Sequence, residues 1–200
     1  MEERRKLVLA SDNPGKLREF QQLLGSRWQL IAQSSLGVAP VAETGASFSQ
    51  NALQKARHAA AVTGLPALAD DSGIEVDALH GAPGIYSARY AGVGASDAAN
   101  NARLLADLAG VPAARRTARY RCCLAFVRNA GDSSPLLAEG VWEGRIAESC
   151  RGADGFGYDP LFIDPHSGMH VAEMDPAEKN LRSHRYIALQ RLQELLAGGA

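Results

Sequence analysis

Leu7-Val8-Leu9-Ala10-Ser11-Asp12-Asn13-Pro14-Gly15-Lys16 opens with a short buried-strand pattern and breaks into a polar turn. Beyond Lys16 the apolar spacing changes, and Leu17, Phe20, Leu23 and Leu24 fall on one helical face. The chain therefore starts as strand, polar loop, helix.

The alternation continues outward. After the polar stretch Glu43 to Gln50, a second helical pattern places Phe48, Ala52, Ala56 and Ala59 on one side, and Gly64-Leu65-Pro66 stops it. Leu65 to Ala69 makes a short strand that runs into Asp70-Asp71-Ser72-Gly73. Gly81 to Gly92 reads as an ordered loop with a short helix. Ser96 suits the N-cap of a helix that carries Leu104, Leu105 and Leu108 and ends at Gly110. Thr117 to Val127 is the best strand, with Ala118, Tyr120, Cys122, Leu124 and Phe126 alternating against Thr117, Arg119, Arg121 and Cys123. A turn cluster from Asn129 to Pro135 returns it as a second strand, Leu136 to Ile146. A last helix is expected over about Ala177 to Ala197, carrying Leu181, Leu192, Leu195 and Leu196. Alternating strands and helices, with a hairpin in the middle, predict an α/β fold on a mixed sheet.

The chain has 200 residues, 46% hydrophobic and 22% charged, which excludes wholesale disorder and a disulfide-stapled miniprotein. A formal net charge of −1 gives no global positive field, so neither nucleic acid nor an anionic membrane is an expected partner. Met1 to Lys6 is charged, but only Leu7 to Ala10 follow it, too short for an export signal or a membrane span. Cys122, Cys123 and Cys150 make no C-x-x-C and no disulfide set. A cytoplasmic protein is expected.

Several segments carry chemistry. Ser11 to Lys16 lies between strand and helix start, where backbone amides, the helix dipole and an exposed Lys16 favour phosphate, or form an ordinary cap. Asp70 and Asp71 follow a strand, and burying both calls for a cation, Mg2+ being natural beside phosphate. The other reading is a strand-end cap. Glu43 offers a further carboxylate. Gly152 to Pro160 sets Phe156 and Tyr158 in a glycine-rich loop, suited to stacking on a base or to a tight turn. Lys179, Arg182 and Ser183 have spacings that place them on neighbouring faces of the last helix, and His184 and Arg185 extend the donors. His58, His80, His166 and His170 show no metal spacing.

Together these segments resemble the inosine triphosphate pyrophosphatase family. The matching stretches are Ser11 to Lys16, Glu43 to Phe48 with Asn51-Ala52, Leu68 to Gly73, Gly81 to Arg89, Gly155 to Pro160, and Glu178-Lys179 with Ser183-His184-Arg185. The resemblance implies one ITPase-like domain over 1–200, made of two lobes on an elongated mixed sheet with a nucleotide cleft between them. It also implies a homodimer and Mg2+-dependent hydrolysis of ITP, dITP, XTP and dXTP to the monophosphate and pyrophosphate. Carried over residue by residue, Ser11, Asp12, Asn13, Pro14, Gly15 and Lys16 would bind the triphosphate. Glu43 and Asp71 would hold the metal, with Asp71 also the proton acceptor. Ser72, Phe156, Gly157, Tyr158, Asp159, Lys179, His184 and Arg185 would contact the nucleotide.

Two departures from the family pattern stand out: Gln50 where many relatives carry Glu, which removes an acid, and Ser11-Asp12, which adds a negative charge near the phosphates. Base choice is a donor–acceptor matter, because donors from His184 or Arg185 suit the O6 of a 6-oxo purine and oppose the adenine amino group. Three alternatives are a Maf-type pyrophosphatase of other base preference, a non-catalytic nucleotide-binding module and a carboxylate-nucleophile phosphatase. The last would release orthophosphate.

Overall fold

The computed structural model describes residues 5–24 and 28–198, with Leu23 described by its backbone alone. Met1 to Arg4 and the Leu23 side chain, both used in the sequence reading, lie outside the described residues. Among the described residues six strands form one sheet in the order β2-β1-β3-β4-β5-β6. They are β1 (Arg5–Leu9), β2 (Trp28–Ala32), β3 (Ala67–Val76), β4 (Thr117–Val127), β5 (Leu136–Ile146) and β6 (Phe162–Ile163). β1 pairs in parallel with β2 and β3, and β5 pairs antiparallel with β6, so the sheet is mixed as expected. The helices are α1 (Pro14–Leu23), α2 (Phe48–Thr63), α3 (Asp97–Asp107), α4 (Pro176–Arg182) and α5 (His184–Gly198), with a 3-10 segment at Gly84–Arg89.

The chain forms two compact units. The first comprises 1–71, 122–140 and 185–200, and the second 72–121 and 141–184. In the first unit, strand alternation sorts the core onto two faces. Leu7, Leu9, Leu68, Cys122, Leu124 and Phe126 pack with Phe20 of α1 and with Ala188, Leu189 and Leu192 of α5. Val8, Ala67, Ala69, Ala125 and Val127 pack with Ala52, Ala56, Ala59 and Ala60 of α2. The alanine stripe lets α2 lie close to its face of the strands. The second unit has its own core, in which Ile74, Val76, Leu104, Leu108, Tyr120, Trp142, Tyr158, Leu161 and Phe162 are buried together.

Local signals explain the helix ends. Asn13 caps α1, with Pro14 opening it, Ser47 caps α2, and Gly64 ends α2 at φ 66°. Ser96 caps α3. Two expectations need correction. Asp70-Asp71-Ser72-Gly73 does not leave the strand but forms the middle of the ten-residue β3. The last helix is broken in two at Ser183, whose ψ of 150° is extended. That break resets the helical phase, so Leu181 is 62% exposed while Leu192 is buried. β2 and β6 carried too weak a pattern to be anticipated.

Candidate functional site

In the first unit, the two adjacent aspartates point to opposite faces because they are neighbours in a strand. Asp70 continues the α1 and α5 face. Its fully buried carboxylate meets Lys16 Nζ at 2.7 Å and Arg185 Nε at 3.5 Å. Arg185 in turn donates from Nη1 to Glu19 at 2.9 Å. Burial alone would raise the Asp70 carboxyl, but the charges of Lys16, Arg185 and Lys55 hold it well below the usual carboxylate range. Burial likewise opposes the charge on Arg185, yet Glu19 and Asp70 raise its basicity further. Asp70 thus anchors both Lys16 and Arg185.

Asp71 continues the α2 face, where it meets a different set. Lys55 Nζ lies 2.8 Å from Asp71 Oδ1 and 2.8 Å from Glu43 Oε1. Asn51, fully buried, donates to Asp71 Oδ2 at 3.1 Å and accepts the Gly45 amide at 2.8 Å. Burial raises the Asp71 carboxyl above its ordinary value, with the Glu43 charge adding to it, against the pull of Lys55 and Asn51. Lys55 also lies above its usual value, because Asp71, Asp70 and Glu43 outweigh its burial. Three consecutive amides after Glu43 are held by side chains of α2: Thr44 by Gln54, Gly45 by Asn51 and Ala46 by Gln50. Gln50 therefore serves as a cap on this loop, at 2.8 Å from the Ala46 amide.

The Ser11 to Lys16 turn is already braced. Asn13 Oδ1 accepts the amides of Gly15 and Lys16 at 2.8 and 3.1 Å, and Ser11 Oγ accepts that of Asn13. Pro14 brings no amide hydrogen. Asp12 accepts from Gln33 at 2.7 Å, which fixes the direction of its carboxylate. Lys16 is not the exposed, mobile charge expected: its side chain is 16% exposed and paired with Asp70.

The second unit assembles the aromatic loop. Asp159, 4% exposed, accepts the Phe156 amide at 2.9 Å and Lys179 Nζ at 2.7 Å on one oxygen, and Tyr120 Oη at 3.1 Å on the other. A Cβ on Gly155, at φ 81°, would collide with that carboxylate, so glycine is required there. The Lys179 ammonium lies 4.7 Å from the centre of the half-buried Phe156 ring. Asp97 and Asn101 of α3 clamp Gly157 from both sides, accepting its amide at 2.6 Å and donating to its carbonyl at 2.9 Å. Tyr158 is buried, with its hydroxyl on the Ser87 carbonyl at 2.8 Å. Ser72, half-buried, follows Asp71 on β3. His184 stacks on Tyr120, with centroids 4.8 Å apart and planes at 10°.

Glu43, Asp71 and Lys179 were legible in the sequence, Asn51 was legible as part of a motif but without a role, and Lys55, Asp97, Asn101 and Tyr120 were not legible. The i,i+4 pairs Asn51/Lys55 and Asp97/Asn101 were the available signal. Arg182 pairs with Asp164 and Glu178. Arg185 belongs to the first unit, with Glu19 and Asp70, whereas His184 belongs to the second. Among the described residues no group of three or more His, Cys, Asp or Glu gathers as a metal cage. Two carboxylates that converge on one ammonium nevertheless fit a magnesium-type ion, which uses one or two carboxylates and takes its other oxygens from phosphate and water.

Comparison with known proteins agrees with this architecture. The chain is 56% identical over 200 residues to a dITP/XTP pyrophosphatase of Methylococcus capsulatus, covering 98% of this chain and 100% of that protein. It is 56% identical to one of Thioalkalivibrio sulfidiphilus, covering 96% and 99%. A HAM1 protein structure from Coxiella burnetii superposes with a TM-score of 0.89 at 47% identity, covering 97% of this chain and 99% of the other. The Staphylococcus aureus Ham1 protein does so with a TM-score of 0.86 at 37% identity, covering 98% and 100%. The profile of the Ham1 family matches residues 7–195. With its fold and nearly its whole length accounted for by these relatives, the chain belongs to the Ham1 family.

Proposed function

We propose that this protein is a nucleoside triphosphate pyrophosphatase that hydrolyses ITP, dITP, XTP and dXTP to the monophosphate and pyrophosphate. The observation that carries the chemistry is the convergence of the Glu43 and Asp71 carboxylates on the Lys55 ammonium, each at 2.8 Å. Relatives of more than half identity bear the name dITP/XTP pyrophosphatase, which supports the substrate class.

Phosphoryl chemistry is mostly positioning and charge neutralisation. In this reading the Ser11 to Lys16 turn takes the triphosphate, with Lys16 poised by Asp70 and Lys55 adding a second positive charge. Glu43 and Asp71 would hold Mg2+, which when bound supplies further neutralisation of the phosphate oxygens. Asp71, its carboxyl raised by burial, accepts the proton of the attacking water. Ser72, the Phe156 to Asp159 loop and Lys179 bind the rest of the nucleotide, and Phe156 offers its face to the base. Because Arg185 shares its donors with Glu19 and Asp70, we give the reading of O6 to His184 and support of the phosphate side to Arg185. Residues 1–200 then act as one ITPase-like domain. We further take it to work as a homodimer in the cytoplasm. Among the described residues no helix is long and apolar enough to cross a membrane.

The test is an assay of ITP, dITP, XTP, GTP and ATP with Mg2+ that measures both phosphate products. Pyrophosphate from the first three is expected, and orthophosphate as the only direct product would overturn the proposal. Asp71→Asn should reduce kcat by at least about 10²-fold in a folded protein.

A further inference from the structure

We propose that Tyr120 sets base selectivity by holding the base-reading side chain rigid. Tyr120 lies on β4 and is 7% exposed. Its ring is seated against Phe162, with centroids 4.5 Å apart, and against Trp142 at 6.3 Å. The same ring carries the His184 imidazole, nearly parallel at 10° and 4.8 Å away, a favourable stacking distance. Its hydroxyl meets Asp159 Oδ1 at 3.1 Å, and the other oxygen of that carboxylate binds both the Phe156 amide and Lys179. One side chain therefore ties the stacking loop to the donor that reads the base.

The physical reason is directional. A donor rejects adenine only if it cannot turn away from the opposing amino group, since a donor free to swing avoids the clash. It also reaches O6 well only near a straight hydrogen bond. Stacking on a ring fixed by its own neighbours confines the imidazole plane and supplies that rigidity. Tyr120 touches no reacting atom in this account, so it is a positioning residue. The proposal rests on the reading of His184 as the O6 donor.

The experiment measures kcat/KM for ITP and ATP with Mg2+ in the full-length enzyme and in Y120F, Y120L, H184A and Y120L/H184A. Y120F keeps the stack and loses the hydroxyl, so KM should rise for both nucleotides by similar factors with the ITP:ATP ratio kept within about threefold. Y120L loses the stack, and the ratio should fall by roughly tenfold or more, the scale set by a mispaired buried donor. The double variant should show no lower ratio than H184A alone, because both changes disable the same donor. Should Y120L fail to fold, Y120M reads the same ratio. If H184A narrows the ratio but the Leu and Met variants leave it intact, Tyr120 is only a core residue and the proposal falls, while the reading of His184 stands. If H184A itself leaves the ratio unchanged, His184 is not the reader and both fall.

Discussion

Lys16 shows how burial changes the meaning of a single charge. Its partner Asp70 is fully buried in its side chain, so removing the ammonium leaves that carboxylate with Arg185 at 3.5 Å. Loss of one partner of a buried pair costs stability because the other charge stays desolvated. Lys16→Ala should therefore lower unfolding free energy by about 1–3 kcal/mol, on the scale of a lost charged hydrogen bond, as well as impair turnover. Urea denaturation checks the first effect and ITP kinetics the second. Asp164 is a second such residue, remote in sequence from the carboxylates assigned to metal. It accepts from Trp142 Nε1 at 3.0 Å, from the Ser167 amide at 2.8 Å and hydroxyl at 2.9 Å, and from Arg182 at 3.1 Å. Burial opposes its charge, but these donors hold the carboxyl below its ordinary 3.8. With a folded pKa below the unfolded one, its stabilisation is full above that ordinary value and fades as the pH falls below it. Asp164→Asn should cost about 1–3 kcal/mol at pH 7. The gap from the parent protein should shrink in denaturation measured near pH 3.

At the scale of elements, the loop before α2 and the first turns of α2 act as one part. Gln54, Asn51 and Gln50 hold the three amides that follow Glu43, and Asn51 also reaches Asp71. Gln50 thus does its work as a cap on this loop, through its side-chain oxygen. Gly45 makes the close approach possible: a Cβ there would stand 2.7 Å from Asn51 Oδ1 and 2.7 Å from Gln50 Cβ. Gly45→Ala must shift the loop that carries Glu43. Small misplacements in a site of this kind cost about 10–10²-fold in rate, so kcat should fall by that order while the melting temperature moves only a few degrees. A melting curve beside the kinetic assay separates the two. The break at Ser183 is the other decision made at this scale. It ends α4 before its basic residues can form one stripe with His184 and Arg185, and the chain passes there from one unit to the other.

Across the whole molecule, what the amino-acid sequence determined by itself was the local order of the fold. β4 and β5 kept the bounds expected of them, Thr117–Val127 and Leu136–Ile146, on either side of a turn cluster, and α1, α2 and α3 began at side-chain caps. These features depend on residues a few positions apart, so they are written in short windows. Six motifs in sequence order also implied the family that the Ham1 match bears out. β2 escaped because it is a short strand at the edge of the sheet with no clean alternation, and the Ser183 break because no Gly or Pro marks it. Only the tertiary structure decided the partners. Asp70 and Asp71 read as a pair sharing one cation, yet the pleat of β3 sends one to Lys16 and Arg185 and the other to Lys55 and Asn51. Arg185 finds Glu19 across 166 positions of sequence, and Tyr120 finds both His184 and Asp159. Such pairings arise where separate strands and helices pack against one another, and no local periodicity encodes which side chains will meet there.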